Sequence, residues 1–533
     1  ADAAESRRAG PGPTVRGPQA TRATNLSPFR LAMVPERQFR TPLFDAMVSL
    51  AEAKKVSFHT PGHKSGKGIS TRFRKFVGSK IFTIDLTTLD EVDCLQKPVG
   101  VIKEAQELAA EAHGADRSFF LVNGTTVGNH AMILSTVLPG DEVLVARNAH
   151  KSILAGIILS GATPRFFLPR FDDDLGIAVN VSVEAVRAAM RDHPAARIVT
   201  VTSPNYYGIA ADMPGVVAAA REHDRVLLVD EAHGPHLHFH PGLPPSAVDA
   251  GADLTVQSTH KIVGGMTQAS MLHLREGRVD VARVVAILQM LQSTSPSYIL
   301  MASLDLARMQ MATEGRKLLG KAIELAEEAR ARINRIAGVR CLDAAQVESW
   351  GGFRLDVTKL TISVKEIGLT GYAASTLLNT EFGIQVEMAD LYNVLVIVSI
   401  GDRRDDLDRL VAGLEGLARR SAGHGARVAD LSAVPPVQET ALACSPREAY
   451  FAAHATVPLS QAAGRVSADI VTIYPPGIPI LVPGEVVSRT AVEYLQTLGG
   501  RGARIDGVVD ATGGSRDAAA AGAPEPHIRV LAR

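Results

Sequence analysis

Lys261 is the residue whose surroundings most strongly suggest chemistry. It ends the run Ser258-Thr259-His260-Lys261, which follows the apolar segment Leu254–Gln257. That pattern is typical of a buried strand that ends in a loop. Burial penalises a charged ammonium, and a lysine whose charge is suppressed is the kind that forms a Schiff base with a carbonyl. Taken alone, the run fits an ordinary loop lysine equally well.

A carboxylate stands at the end of a second apolar segment. Val226–Val229 runs into Asp230-Glu231-Ala232-His233-Gly234. A carboxylate that leaves a buried strand can pair with a pyridinium nitrogen and keep it protonated, so that the ring withdraws electrons. Asp-Glu-Ala-His also occurs in magnesium-binding and helicase-type motifs. Those proteins need a phosphate loop of the Gly-x-x-x-x-Gly-Lys-Ser/Thr type, which this sequence lacks.

Two more loops carry groups suited to a flat, phosphorylated ligand. Ser118–Val122 runs into Asn123-Gly124-Thr125-Thr126 and then a helical stretch. Backbone N–H groups at a helix start, together with threonine hydroxyls, make an anion site. His150 follows the apolar segment Glu142–Ala146, and its ring is suited to lie on a planar cofactor. Each signal is weak or moderate by itself.

The four loops follow different strands of one predicted sheet, and ligands of α/β sheets bind outside the carboxyl ends of the strands. A phosphate turn at 123–126, a stacking His150, a ring carboxylate at Asp230 and a Schiff-base Lys261 appear in that order. Together they predict a site for pyridoxal 5′-phosphate (PLP).

The elements that position these loops alternate along residues 41–300. Predicted strands, apolar on both faces, are Ser118–Val122, Glu142–Ala146, Thr163–Phe167, Ile198–Thr202, Val226–Asp230 and Leu254–Gln257. Predicted helices include Pro98–Ala112, Val127–Val137, Val183–Arg191 and Met213–His223. This order favours a doubly wound α/β domain with a mostly parallel sheet.

The remaining chain predicts two smaller α+β domains. Residues 301–420 contain a long helix, Leu304–Gly338, and two strands, Leu360–Val364 and Val394–Ser399, around the helix Tyr372–Phe382. A break at Ser421–Gly425 precedes a C-terminal domain at 426–509. Residues 510–533 are predicted to be a mobile tail, and residues 1–40 a disordered arm or the remnant of an organelle-targeting peptide.

The composition excludes several classes of function. The 56 basic and 56 acidic residues cancel, so no net basic field favours nucleic acid or an anionic membrane. No apolar run reaches the length of a membrane span. The three cysteines form neither a disulfide framework nor a metal pattern. We expect a soluble intracellular protein, cytoplasmic or, if residues 1–40 are a transit remnant, plastid-located.

The sequence resembles the Orn/Lys/Arg decarboxylase family of fold-type-I (aspartate-aminotransferase-like) PLP enzymes, in the short form without an N-terminal wing domain. The resemblance covers about residues 42 to 490. The stretches that carry it are Phe58–Lys64, Asn123–Thr126, Arg147–Ser152, Asp230–Gly234, Ser258–Lys261, Thr294–Tyr298, Tyr474–Pro479 and Pro483–Glu485.

The resemblance implies a role for several residues. Lys261 holds PLP, Asp230 pairs with the ring nitrogen and His150 stacks on the ring. The cofactor pocket also takes in Gly124, Thr125, Thr126, Ala232, His233, Ser258 and His260. A hydroxyl at Ser293 or Thr294 reaches the phosphate of the neighbouring subunit, so the resemblance implies a homodimer or higher homo-oligomer with shared sites.

The implied activity is PLP-dependent decarboxylation of a basic amino acid, with arginine favoured over lysine and ornithine and with Lys261 or His260 as the acid that reprotonates Cα. His63 and Glu485 are the expected substrate-binding residues; Glu485 ends a proline-rich turn that presents a carboxylate to the distal cation. Two alternatives stay open: an aminotransferase or desulfurase that clamps the substrate carboxylate through Arg354, and a PLP-binding regulator without activity.

Overall fold

The computed structural model describes residues 34–421, 441–473, 477–511, 514 and 525–532. The large domain contains ten strands: β1 (Arg117–Leu121), β2 (Glu142–Ala146), β3 (Thr163–Phe167), β4 (Arg170–Asp172), β5 (Ile177–Asn180), β6 (Ile198–Thr202), β7 (Ile209–Ala210), β8 (Val226–Asp230), β9 (Leu254–Gln257) and β10 (Ser270–Leu274). Seven form one sheet in the order β1-β10-β9-β8-β6-β2-β3.

The sheet is mostly parallel, as predicted. Strand β10 alone runs against its neighbours, because it pairs antiparallel with both β1 and β9. Five of the six predicted strands have the predicted ends, and β1 is shifted by one residue. Strand β10 lies outside the predictions, since its polar Ser270 and His273 interrupt the apolar run that marks the other strands.

Helices cover both faces of this sheet, which explains why its strands are apolar on both sides. The large-domain helices are α1 (Pro42–Glu52), α2 (Thr71–Val77), α3 (Val101–His113), α4 (Gly124–Thr136), α5 (Lys151–Ser160), α6 (Val183–Asp192), α7 (Met213–Glu222), α8 (Ala247–Ala250) and α9 (Val281–Leu291). One core lies among α4, α5 and α9, and another among α6 and α7.

Helix α4 lies unusually close to the sheet. A Cβ added at Gly128 would stand 2.3 Å from Val256 Cγ2 and 2.8 Å from Leu121 Cδ1, so only glycine permits this approach. The first turn of α4 therefore reaches the ends of β8 and β9, where the predicted site lies.

The small domain packs four helices on an antiparallel sheet. Its helices are α10 (Tyr298–Ile333), α11 (Ala344–Ser349), α12 (Gly371–Phe382) and α13 (Arg404–Ser421), and its strands are β11 (Arg340–Cys341), β12 (Arg354–Leu355), β13 (Lys359–Ser363), β14 (Met388–Ala389) and β15 (Asn393–Ile397). The sheet order is β11-β13-β15-β14, and β12 pairs with β7 of the large domain. Helix α10 runs across the predicted boundary at residue 300.

The described residues of the C-terminal region form two short sheets. Its elements are α14 (Pro446–Phe451), α15 (Arg489–Gly499), β16 (His454–Pro458), β17 (Val471–Ile473), β18 (Ile478–Leu481), β19 (Ile505–Asp506), β20 (Val508–Val509) and β21 (His527–Leu531). The prediction of a mobile tail over 510–533 is wrong for its last part. Strand β21 pairs with β16 and β20 and buries Ile528 and Val530 completely, because its apolar residues alternate.

The predicted N-terminal arm also needs correction at its end. Gln38 is buried, and its amide donates to Leu108 O at 3.2 Å. Residues 36–40 are therefore packed on the large domain, whereas the prediction for residues 1–33 lies outside the described part of the chain. No helix among the described residues combines the length and apolar character needed to cross a membrane.

Candidate active site

Lys261 lies in a single 3-10 turn, Thr259–Lys261, just after β9. Its Nζ is 2.9 Å from His233 Nε2 and 5.5 Å from the centre of the Tyr206 ring. Burial lowers the pKa of Lys261, and the charges of Asp230 and Glu387 oppose that shift. Burial, and secondarily Lys261 itself, hold the pKa of His233 well below its ordinary value. The site thus pairs an amine whose pKa is lowered with an imidazole whose pKa is also lowered.

Asp230 is buried at the end of β8, and two donors hold its carboxylate. Asn129 Nδ2 on α4 donates to Oδ2 at 2.8 Å, and Ala232 N donates to Oδ1 at 3.1 Å. Within the described residues no lysine, arginine or histidine makes an ion pair with it. A desolvated carboxylate with remaining acceptor capacity and no cation favours a protonated ring nitrogen.

His150 caps the start of α5. Its Nδ1 accepts from Ser152 N at 3.2 Å and lies 2.8 Å from Ser152 Oγ. Ser152 Oγ in turn accepts from Asn129 at 2.8 Å, so His150 and Asp230 share one hydrogen-bond network. Burial lowers the pKa of His150 to about 4, although Asp230 opposes the shift. The imidazole is therefore neutral near pH 7, as a ring that stacks on a planar group requires.

The predicted phosphate turn meets the lysine loop. Gly124 adopts a left-handed φ of +68° and starts α4, whose first N–H groups have no acceptor inside the helix. Ser258 Oγ donates to Thr125 Oγ1 at 3.3 Å, so hydroxyls from two loops converge at this helix start; Thr126 follows in the same turn. These are the donors that a phosphate dianion needs, and the set fits PLP.

His260 is turned away from the amine. Its Nδ1 lies 3.0 Å from Ala269 O, and burial lowers its pKa. The imidazole that contacts Lys261 is that of His233, and the expectation that Lys261 or His260 reprotonates Cα stays a prediction.

Ser293, Thr294 and His63 lie away from Lys261 in this chain. Ser293 and Thr294 are exposed at the break between α9 and α10, and Ser293 Oγ accepts from Ser295 N at 3.0 Å. His63 Nε2 is 3.0 Å from Asp85 Oδ2. Within the described residues, no hydrogen bond joins any of the three to the lysine loop. Their assigned roles stay predictions.

Glu485, the expected partner of the substrate's distal cation, is engaged within this chain, and its role in substrate binding stays a prediction. Its side chain is completely buried, with Arg147 Nη2 at 3.3 Å from Oε2 and Val482 N at 2.8 Å from the same oxygen. Arg147 also donates to Pro479 O and Ile480 O at 2.6 and 3.0 Å. The carboxylate thus joins the C-terminal domain to the loop that carries His150.

Two residues near the site, Tyr206 and Asn129, are absent from the sequence prediction. Tyr206 packs edge-on against His233, with ring centres 4.6 Å apart; its position after the predicted strand β6 was a usable signal. Asn129 is an amide on the buried face of α4, which was also a signal. Arg354, the candidate carboxylate clamp, lies on β12 with an exposed side chain.

Two family models match this chain, one over the large and small domains and one over the C-terminal region. The description "Orn/Lys/Arg decarboxylase, major domain" matches residues 41–406, and "Orn/Lys/Arg decarboxylase, C-terminal domain" matches residues 436–532. The chain belongs to this family. It is therefore a PLP-dependent enzyme of fold type I that decarboxylates a basic amino acid.

Individual relatives agree with that membership. The arginine decarboxylase of Halalkalibacterium halodurans is 45% identical over 476 residues, which cover 89% of this chain and 97% of the relative. The arginine decarboxylase of Bacillus subtilis is 42% identical with the same coverage. Among solved structures, the lysine decarboxylase of Francisella novicida superposes with a TM-score of 0.80 at 23% identity, covering 93% of this chain and 82% of that one, and this likeness shows the fold.

Proposed function

We propose that this enzyme decarboxylates L-arginine to agmatine. Relatives described as arginine decarboxylases in Bacillus and Halalkalibacterium share 42–45% identity with it over most of both chains, whereas the lysine decarboxylases of Pseudomonas aeruginosa and Escherichia coli share 25–29%. This difference carries the choice of substrate, since the described residues offer no carboxylate that is shown to receive a guanidinium.

The cofactor side of the site supports the chemistry. Bound there, PLP supplies a ring that accepts the electron pair left when the substrate carboxylate departs as carbon dioxide. Asp230 would keep the ring nitrogen protonated, His150 would contact the ring, and Lys261 would hold the cofactor through its amine. His233, 2.9 Å from Nζ of Lys261, then moves a proton to or from that amine, so that Lys261 can protonate Cα.

The active unit proposed here is a dimer with shared sites. Several large apolar side chains lie exposed in the segment between α1 and the end of α2: Val56 is 81%, Phe58 93% and Phe76 90% exposed. Exposed apolar patches mark interaction surfaces. Because this segment also contains His63, a second copy that covers it would bring His63 next to the interface.

The test of substrate is a direct comparison. Enzyme loaded with PLP is incubated separately with arginine, lysine and ornithine, and carbon dioxide and the amine product are measured. We expect kcat/KM for arginine to exceed the others by at least about tenfold, which corresponds to about 1.4 kcal/mol. Preference for lysine or ornithine would contradict the proposal, and formation of a keto acid instead of an amine would favour an aminotransferase.

A further inference from the structure

A pair of buried polar side chains lies directly behind the site, and the chemistry above does not use it. Glu231 and Gln257 have 0% and 1% of their surface exposed. Gln257 Nε2 donates to Glu231 Oε2 at 2.7 Å, and Ala247 N, at the start of α8, donates to the other carboxylate oxygen at 2.6 Å. Both carboxylate oxygens are therefore held.

The pair stands between the two loops that hold the cofactor. Glu231 follows Asp230 directly, and Gln257 directly precedes Ser258. Neighbouring residues of an extended chain point to opposite faces. Accordingly, Asp230 and Ser258 reach Asn129 and Thr125 on α4, whereas Glu231 and Gln257 meet each other on the opposite side of the sheet.

The hydrogen bonds continue across the next two strands. Gln257 Oε1 is 3.1 Å from His273 Nε2 on β10, and His273 Nδ1 is 2.7 Å from Ser118 Oγ on β1. Four adjacent strands are thus joined by side chains at this level. The bonding that holds Glu231 and Gln257 therefore extends to β10 and β1, the two strands that follow β9 in the sheet.

Burying the Glu231–Gln257 pair in the core costs desolvation free energy. No lysine, arginine or histidine within the described residues makes an ion pair with Glu231. Burial raises the pKa of Glu231 to about 8, against the opposing effect of the Gln257 hydrogen bond. Apolar side chains of the same volume would avoid that desolvation. A costly polar pair placed between two functional loops points to a role in their geometry.

We propose that the Glu231–Gln257 hydrogen bond is a positioning bridge, which sets the separation between Asp230 at the ring nitrogen and the Ser258–Lys261 loop at the phosphate and the amine. The bridge rests on the cofactor site proposed above and is independent of which amino acid is the substrate. Glu231 and Gln257 act through Asp230 and Lys261 and touch neither cofactor nor substrate.

The test compares four variants with the wild type: Glu231→Leu, Gln257→Leu, the double variant and Glu231→Gln. PLP affinity, the absorption spectrum of bound PLP, unfolding temperature, kcat and KM are measured for each. Each leucine variant should weaken PLP binding and lower kcat by about tenfold or more, with KM within about twofold, as expected for one buried hydrogen bond. The double variant should be no worse than the poorer single variant, since partners in one bond are not additive.

Glu231→Gln should restore part of the PLP affinity and kcat relative to Glu231→Leu, because its amide oxygen still accepts from Gln257 although its NH2 group cannot accept from Ala247 N. Thr255→Val is the matched control: Thr255 is buried on the same strand, and its hydroxyl has no hydrogen-bond partner among the described residues. The idea is overturned if the leucine variants only lower the unfolding temperature, leaving PLP affinity, spectrum and kcat of the loaded protein unchanged, or if their effects add. Should the wild type fail to use arginine, the PLP measurements would still decide the role of the bridge.

Discussion

The cofactor side and the substrate side of the site differ in how much of each a single chain contains. On the cofactor side, Asn129 and Ser152 join Asp230 and His150 in one hydrogen-bond network, and His233 contacts Lys261 at the end of the neighbouring strand. On the substrate side, His63 pairs with Asp85 and Glu485 is buried against Arg147. The difference teaches that one chain brings the proposed PLP-binding residues together at the sheet edge but does not bring His63 or Glu485 into hydrogen-bond contact with them, which is why we propose a second copy for the other half.

The largest expected effect comes from breaking the cofactor side. Asp230→Asn removes the charge that would keep the ring nitrogen protonated and retains the size of the side chain, but its single amide oxygen can accept only one of the two hydrogen bonds from Asn129 and Ala232. We expect kcat to fall by several powers of ten while PLP stays bound through the turn at 124–126 and Ser258. Asn129→Ala, which removes only a supporting hydrogen bond, should cost less. Kinetics and PLP absorbance of both variants are measured together; near-normal turnover in Asp230→Asn would assign the ring nitrogen to another partner.

The same contrast explains what could be predicted from sequence. Loops at the ends of β1, β2, β8 and β9 could be proposed from sequence, because an apolar run followed by polar residues is a local signal. The positions of Asn129 and Tyr206 gave a weak local signal, but their contacts depend on where α4 and the loop after β6 meet the site, which only the tertiary structure shows. The engagement of Glu485 was missed for the same reason: its partner Arg147 lies 338 residues away, and only the tertiary contact shows that the carboxylate is engaged.

An effect of intermediate size is expected when two inactive variants are mixed and exchange subunits, which tests whether the two halves of a site come from different chains. Lys261→Ala lacks the cofactor half and Ser293→Ala/Thr294→Ala lacks the contribution to the neighbour, so each is expected to be nearly inactive alone. Random reassortment makes half of the dimers mixed, and each mixed dimer has one intact site, so recovery should approach about a quarter of wild-type activity.

The matched control mixes Lys261→Ala with Asp230→Ala. Both lesions then fall in the cofactor half, every site in a mixed dimer remains defective, and no recovery is expected. Activity is measured after subunit exchange has been demonstrated with differently labelled chains. Absence of recovery in the first mixture despite proven exchange would mean that each chain completes its own site.

The smallest effect on catalysis is expected at Glu485, where the structure favours a different outcome from the sequence. A carboxylate that bound the distal guanidinium would make Glu485→Gln raise KM for arginine by about ten- to a hundredfold, the loss of a charge-assisted bond of about 1.5–3 kcal/mol. Because the side chain is fully buried against Arg147, we instead expect KM within about twofold and a lower unfolding temperature. Removing one partner of a buried ion pair costs about 3–5 kcal/mol, since the other charge stays buried and unpaired.

Glu493→Gln, at an exposed position on α15 of the same domain, is the control and should change neither KM nor the unfolding temperature. Arg147→Met combined with Glu485→Gln should recover part of the stability lost in the single variant. A large rise in KM without loss of stability would show that Glu485 leaves Arg147 and binds the substrate.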